Sequence, residues 1–154
     1  MRGASQGWRA GLIGLAFCFV PPALATEVRI ATFEAVGDAI PAPLDGLAGD
    51  PTRGQKLVRD RETGNCLICH QAPVANEPFQ GDLAPSLAGV GGRLSVGQLR
   101  LRLVDQSKLN PATLMPAYHR VDGLTRVAAR YRNRPVFSAQ EIEDVVAWLA
   151  TLKE

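Results

Sequence analysis

The segment GNCLICH, residues 64–70, constrains this chain more than any other, because it sets two thiols and an imidazole almost side by side. Side chains that close must share a task. Four tasks are chemically open: a metal ion, a disulfide, a reactive dithiol and a covalently attached haem. A redox dithiol of the thioredoxin kind belongs at a helix start within a β-α-β pattern, and this chain shows no strand alternation. A structural zinc needs four ligands, and the other histidine, His119, lies far downstream. A disulfide between Cys66 and Cys69 is compatible with an oxidising compartment but strained across so short a loop. The order Cys-x-x-Cys-His is instead the attachment pattern of c-type haem. Each thiol adds to one vinyl group, and the adjacent His70 reaches the iron on one face. We therefore expect one covalent haem c, bound through Cys66 and Cys69, with His70 as an axial iron ligand.

The amino terminus points to the compartment where such haem is attached. Arg2 and Arg9 precede the apolar run AGLIGLAFCFV, and PPALA ends in Ala23-Leu24-Ala25. This order predicts a secretory signal peptide over residues 1–25, cut after Ala25, and a periplasmic protein. The apolar run is well short of the ~20 residues that cross a bilayer, so no membrane span is expected. A lipid anchor on Cys18 is the weaker alternative, because Phe17 is bulky where such cleavage sites have a small residue. Residues 1–25 hold two of the 17 basic residues and none of the 15 acids, so cleavage leaves a neutral chain. Nucleic acid is a poor partner for it. Cleavage also removes Met1 and Cys18, leaving Cys66 and Cys69 as the cysteines and Met115 as the methionine of the mature chain.

The rest reads as a small all-α fold. Residues 26–50 alternate Pro, Gly, Ala and isolated apolar side chains without a sustained period, which predicts an extended N-terminal arm. A domain over residues 51–154 follows. Asp50 caps a first helix that Pro51 opens and that runs to about Arg61. Residues 71–92 are rich in Pro and Gly and predict a long loop, uncommon unless it wraps something. Ser95 caps a middle helix whose Leu99, Leu103 and Val96 form an apolar stripe. Asn110-Pro111 breaks it, and Pro116 keeps Met115 out of any helix. Ser138 and Glu141 form a capping box ahead of a last helix, in which Ile142, Val145, Leu149 and Leu152, flanked by Val146 and Trp148, recur at helical spacing.

The second iron face needs a ligand or stays open. Met/His ligation raises the potential and serves electron transfer. Met115 sits outside any apolar stripe in the proline-bracketed segment NPATLMPAY, which favours it over core filling. His119, four residues on, is the competitor, and bis-histidine ligation would lower the potential. Its alternative reading is a surface histidine beside Arg120. Arg120, Arg126, Arg130, Arg132 and Arg134 face only Asp122 among acids in that stretch. They form either a solvated surface or a patch that docks a partner.

The stretch APSLAGVGGR (residues 84–93) resembles the corresponding loop of class I cytochromes c. That resemblance implies that the Pro85 carbonyl accepts the His70 imidazole N–H and that Arg93 faces a haem propionate. A narrower resemblance covers residues 36–70, 109–120 and 123–152, which are similar to the SoxX family of monohaem cytochromes; RVAARYRNRP is its most specific part. It implies a class I cytochrome c-like fold around one haem, and an electron-transfer subunit paired with SoxA in the SoxAX complex. That complex, an L-cysteine S-thiosulfotransferase, joins thiosulfate to a cysteine of the SoxYZ carrier. By this resemblance the chain is a non-catalytic subunit that takes electrons from the SoxA haem and passes them to a soluble cytochrome c. The chain has no spare thiol for carrying sulfur, in keeping with that division of labour. The alternative is a free periplasmic shuttle cytochrome, which needs neither the arm nor the basic segment.

Overall fold

Each of the three longer helices starts where the sequence supplies a cap. In the computed structural model, which describes residues 29–154, α1 spans Pro51–Arg59, α2 is a single turn at Val90–Arg93, α3 spans Val96–Asp105 and α4 spans Ala139–Thr151. The signal peptide expected over residues 1–25 lies outside the described residues. The Asp50 carboxylate accepts the amides of Thr52 and Arg53 at 2.7 and 3.2 Å, satisfying donors that a first turn leaves orphaned. Ser95 with Gln98, and Ser138 with Glu141, form reciprocal capping boxes.

Two boundaries differ from the reading of the sequence. Helix α1 stops at Arg59 rather than Arg61, because Asp60 turns extended (ψ 114°) and its carboxylate takes the Glu62 amide at 2.8 Å. That local bond competes with another helical turn. Val96 is 47% exposed, whereas Leu99 and Leu103 are buried. Side chains at a helix start lean toward the N-terminus, and Val96 overhangs the core there.

Helices α1 and α4, from opposite ends of the domain, pack closely on each other, and α3 crosses α4. Gly54 permits the first contact: a Cβ there would collide with the Asp144 carbonyl oxygen and crowd the Trp148 side chain. On the far side of α3 and α4 lies the arm. Its Ile40 amide donates to the Gly97 carbonyl at 2.9 Å, and its Leu44 amide to Glu143 Oε1 at 2.9 Å. The Asp50 amide donates to Asp144 Oδ1 at 2.8 Å. Arg100 Nε and Nη2 form a buried bidentate pair with Glu143 at 2.7 and 2.9 Å, while Nη1 donates to the Ile40 carbonyl at 2.6 Å. The arm is therefore part of the domain's own packing. Its presence does not discriminate between a subunit and a free shuttle.

Candidate functional site

The opposite faces of the same helices line a cavity of about 800 Å³. Val58 of α1, Leu99 and Leu103 of α3, and Val145 and Leu149 of α4 give it apolar walls. Cys66, Cys69, His70, Pro85, Arg93 and Met115, each singled out from the sequence, all line it. The fold thus gathers residues from three separate loops around one space.

The cysteine-bearing wall is held by backbone bonds. Asn65 takes the left-handed conformation (φ 51°), which turns the chain into the short 3-10 turn Cys66–Ile68. The long loop that follows is tied back onto this wall. Gly81 donates to Leu67 O, Ala84 to Cys69 O and Leu87 to Gln71 O, each at 2.8 to 2.9 Å. The stretch expected to wrap something is folded against the segment that carries the thiols.

His70 Nδ1 lies 2.7 Å from the Pro85 carbonyl oxygen. A carbonyl can only accept, so Nδ1 carries the proton and the other ring nitrogen, Nε2, keeps a free lone pair. A neutral imidazole fixed in this way is the form that ligates a metal. Arg93 helps to hold the carbonyl in place, donating to Ser86 O at 2.9 Å and Ala88 O at 2.6 Å on either side of the loop containing Pro85. Its guanidinium, expected to face a propionate, has two N–H groups committed to that loop while the side chain still lines the cavity. Arg102, Gln106 and Asn110 also line the cavity; the first two carry no mark in the sequence, and Asn110 reads there only as part of a helix break.

Met115 lines the cavity half-buried, its amide 3.1 Å from Thr113 Oγ1. Tyr118, three positions on, is buried and stacked on Phe137 with centroids 5.0 Å apart and planes 16° apart. Its hydroxyl donates to the Gly64 carbonyl at 2.8 Å. Burial raises the Tyr118 phenol above its ordinary range. Burial likewise pushes the Cys66 thiol up to about 11, with the adjacent Tyr118 hydroxyl opposing that rise. Tyr118 was missed in the sequence, although an aromatic three residues beyond Met115 in a proline-bracketed loop is a usable signal.

His119 is corrected by the structure. It is 1% exposed, not a surface residue, and it does not line the cavity. Nδ1–H donates to the Phe137 carbonyl at 2.7 Å, and Nε2 accepts the Ala31 amide of the arm at 2.9 Å. With both ring nitrogens used, it is not free to ligate iron. The loop between His119 and Phe137 carries the arginines. Arg120 pairs with Asp105 at 2.8 Å, Arg130 donates to the Glu62 carbonyl at 2.8 Å, and Arg126, Arg132 and Arg134 are exposed.

These residues fit a haem. The donor set is two thiols, an imidazole with its outer nitrogen tied down and a thioether, arranged around an apolar cavity large enough for a macrocycle. Among the described residues no group of three or more His, Cys, Asp and Glu side chains is placed to hold a metal ion. No described helix is long and apolar enough to cross a membrane.

Comparison with known proteins agrees with this chemistry. The family model for cytochrome c matches residues 51–153. A chain of the crystal structure of SoxXA from P. pantotrophus matches at 36% identity and a TM-score of 0.73, over 79% of this chain and 95% of that one. No curated protein matches.

Proposed function

This chain belongs to the cytochrome c family, whose class I fold and covalent haem c it shares, and we propose that it is the SoxX-type electron-relay subunit of a thiosulfate-oxidising complex. The observation that carries the reading is the cavity itself, whose lining brings together Cys66, Cys69, His70 and Met115. Cys66 and Cys69 would hold the haem through thioethers, and His70 Nε2 and Met115 Sδ would be the donors to its iron. The bound haem supplies reversible one-electron oxidation and reduction. The protein's part is to keep that centre still: Pro85 fixes the His70 tautomer and ring plane, Arg93 steadies the loop carrying Pro85, and the leucine and valine walls exclude water. With an imidazole and a thioether both supplied by the chain, no position on the iron would be left for substrate. Electron relay, not substrate conversion, is the chemistry this arrangement serves.

In this reading the mature chain is an arm over residues 26–50 followed by a cytochrome domain over residues 51–154, delivered to the periplasm by the signal peptide. It pairs with a SoxA-type haem subunit, takes one at a time the two electrons released when thiosulfate is joined to a cysteine thiol of the SoxYZ carrier, and delivers them to a soluble cytochrome c. The exposed arginines between Arg126 and Arg134 belong to the surface offered to such partners. A haem-stained pull-down from periplasm, followed by thiosulfate-dependent reduction of the captured material, tests the proposal. Copurification of a second haem protein and reduction on adding thiosulfate and carrier are expected. A haem protein that comes down alone and is reduced without carrier would instead be the free shuttle.

A further inference from the structure

Tyr118 joins two parts of the molecule that the sequence keeps far apart. Its backbone amide is anchored to α3 through the Leu103 carbonyl at 3.1 Å, and it follows Met115 by three positions. Its phenol reaches the Gly64 carbonyl at 2.8 Å, two positions before Cys66. Among the described residues it is the group that satisfies that carbonyl. Phe137 locks the joint from beneath. It stacks on the Tyr118 ring, and its edge fills the space that a Cβ on Gly64 would need, 2.9 Å away.

A buried aromatic that only filled space could be phenylalanine. The hydroxyl has a specific partner, and without it the buried Gly64 carbonyl is left unsatisfied, which costs more than a typical hydrogen bond contributes. Elsewhere the two walls are tied mainly to their own surroundings: the cysteine side to the loop over residues 81–87, the methionine side to Leu103 and to itself.

On the footing of Met115 as axial ligand, we propose that Tyr118 is a positioning residue that clamps the methionine-bearing wall to the cysteine-bearing wall, and so sets how firmly the thioether is held against competing ligands. The link acts through Gly64 and the left-handed Asn65 on one side and through the two residues between Met115 and Tyr118 on the other. A thioether is a weak donor to iron, so its retention depends on how little freedom its loop has. Removing the clamp frees that loop without touching the donor atoms.

The test is a titration of the oxidised holoprotein with imidazole, which competes for the methionine position and is followed by loss of the weak long-wavelength sulfur-to-iron band. Tyr118→Phe keeps the ring and its stack on Phe137. It is expected to retain covalent haem and to raise the apparent imidazole affinity about tenfold, the equivalent of one hydrogen bond. Arg53→Gln, at the α1 end remote from the cavity, lowers stability and is expected to leave that affinity unchanged. Tyr118→Phe within twofold of the unaltered protein would overturn the proposal. So would equal increases in both variants, which would make the effect one of general stability. If the unaltered protein lacks the sulfur band and Met115→Ala leaves its spectrum unchanged, the ligand assignment has failed, and the clamp with it. Should Tyr118→Phe not accumulate as holoprotein, Phe137→Leu loosens the same joint from beneath. It should shift the affinity in the same direction by a smaller factor, and no shift there counts equally against the clamp.

Discussion

Helices α3 and α4 each present two unlike faces. Toward the cavity they offer Leu99, Leu103, Val145 and Leu149, whose contacts are non-directional. Toward the arm they offer Arg100, Glu143 and Asp144, each buried and each held by several directional bonds. Apolar walls tolerate small adjustments of a bound macrocycle, while a charged hydrogen-bonded face fixes where the helices stand. The difference separates two kinds of property in one small domain. Spectrum and potential belong to the inner face, and resistance to unfolding belongs in large part to the outer one.

That separation can be broken experimentally, most severely at the cysteines. Replacing Cys66 and Cys69 together by alanine should abolish the haem-stained band after denaturing electrophoresis; persistent covalent haem would sink the site assignment. Next, Met115→Ala should eliminate the sulfur-to-iron band and lower the reduction potential by on the order of 0.1 V, within the ≈ 0.8 V range over which axial ligands act. His119→Ala should weaken the arm's attachment yet leave band and potential in place. Absence of the band from the unaltered protein, with a spectrum altered by His119→Ala and not by Met115→Ala, would establish bis-histidine ligation. On the outer face, Glu143→Ala strands the buried Arg100 guanidinium, and denaturant titration should show a loss of about 3–5 kcal/mol with an unchanged visible spectrum. A spectral change of the size seen for Met115→Ala would show that the two faces are not independent.

The smallest effect is a matter of pH. Burial works to raise the Asp144 carboxyl, but hydrogen bonds from Arg53, the Asp50 amide and Gln140 outweigh it and hold it below the usual carboxylate range. A group depressed on folding contributes fully above its unfolded value of about 3.9 and loses that contribution as the pH falls through the folded value. Asp144→Asn should therefore be less stable than the unaltered protein at neutral pH, with the gap closing below about pH 4. A gap that stays constant through the acid range would show that Asp144 matters by shape rather than by charge.

The inner face was more legible in the sequence than the outer. Thiols, imidazole and a solitary methionine announce their chemistry by type and order, and caps such as Asp50, Ser95 and Ser138 mark helix starts through local bonds alone. The roles of His119, Arg100 and Glu143 depend on partners that the sequence keeps far away, on the arm, on another helix or across a loop. No periodicity carries that information. Arg93 illustrates the middle case. Its place near the haem site followed only from the resemblance of residues 84–93 to the class I cytochrome c loop, whereas its grip on Ser86 and Ala88 depends on the local curl of the chain there.

The arm's anchors have a consequence for the order in which the molecule can form. Ala31 is fastened 88 positions away to His119, Asp50 94 positions away to Asp144, and Leu44 99 positions away to Glu143. Contacts so distant along the chain close late. During vectorial emergence of the polypeptide the arm waits for the last helix, and because Val145 and Leu149 of that helix also wall the cavity, the fold cannot close around residues 64–70 until nearly the whole chain is out. The two thiols thus pass through an interval in which they are accessible to outside chemistry, and that interval is set by the protein's own connectivity.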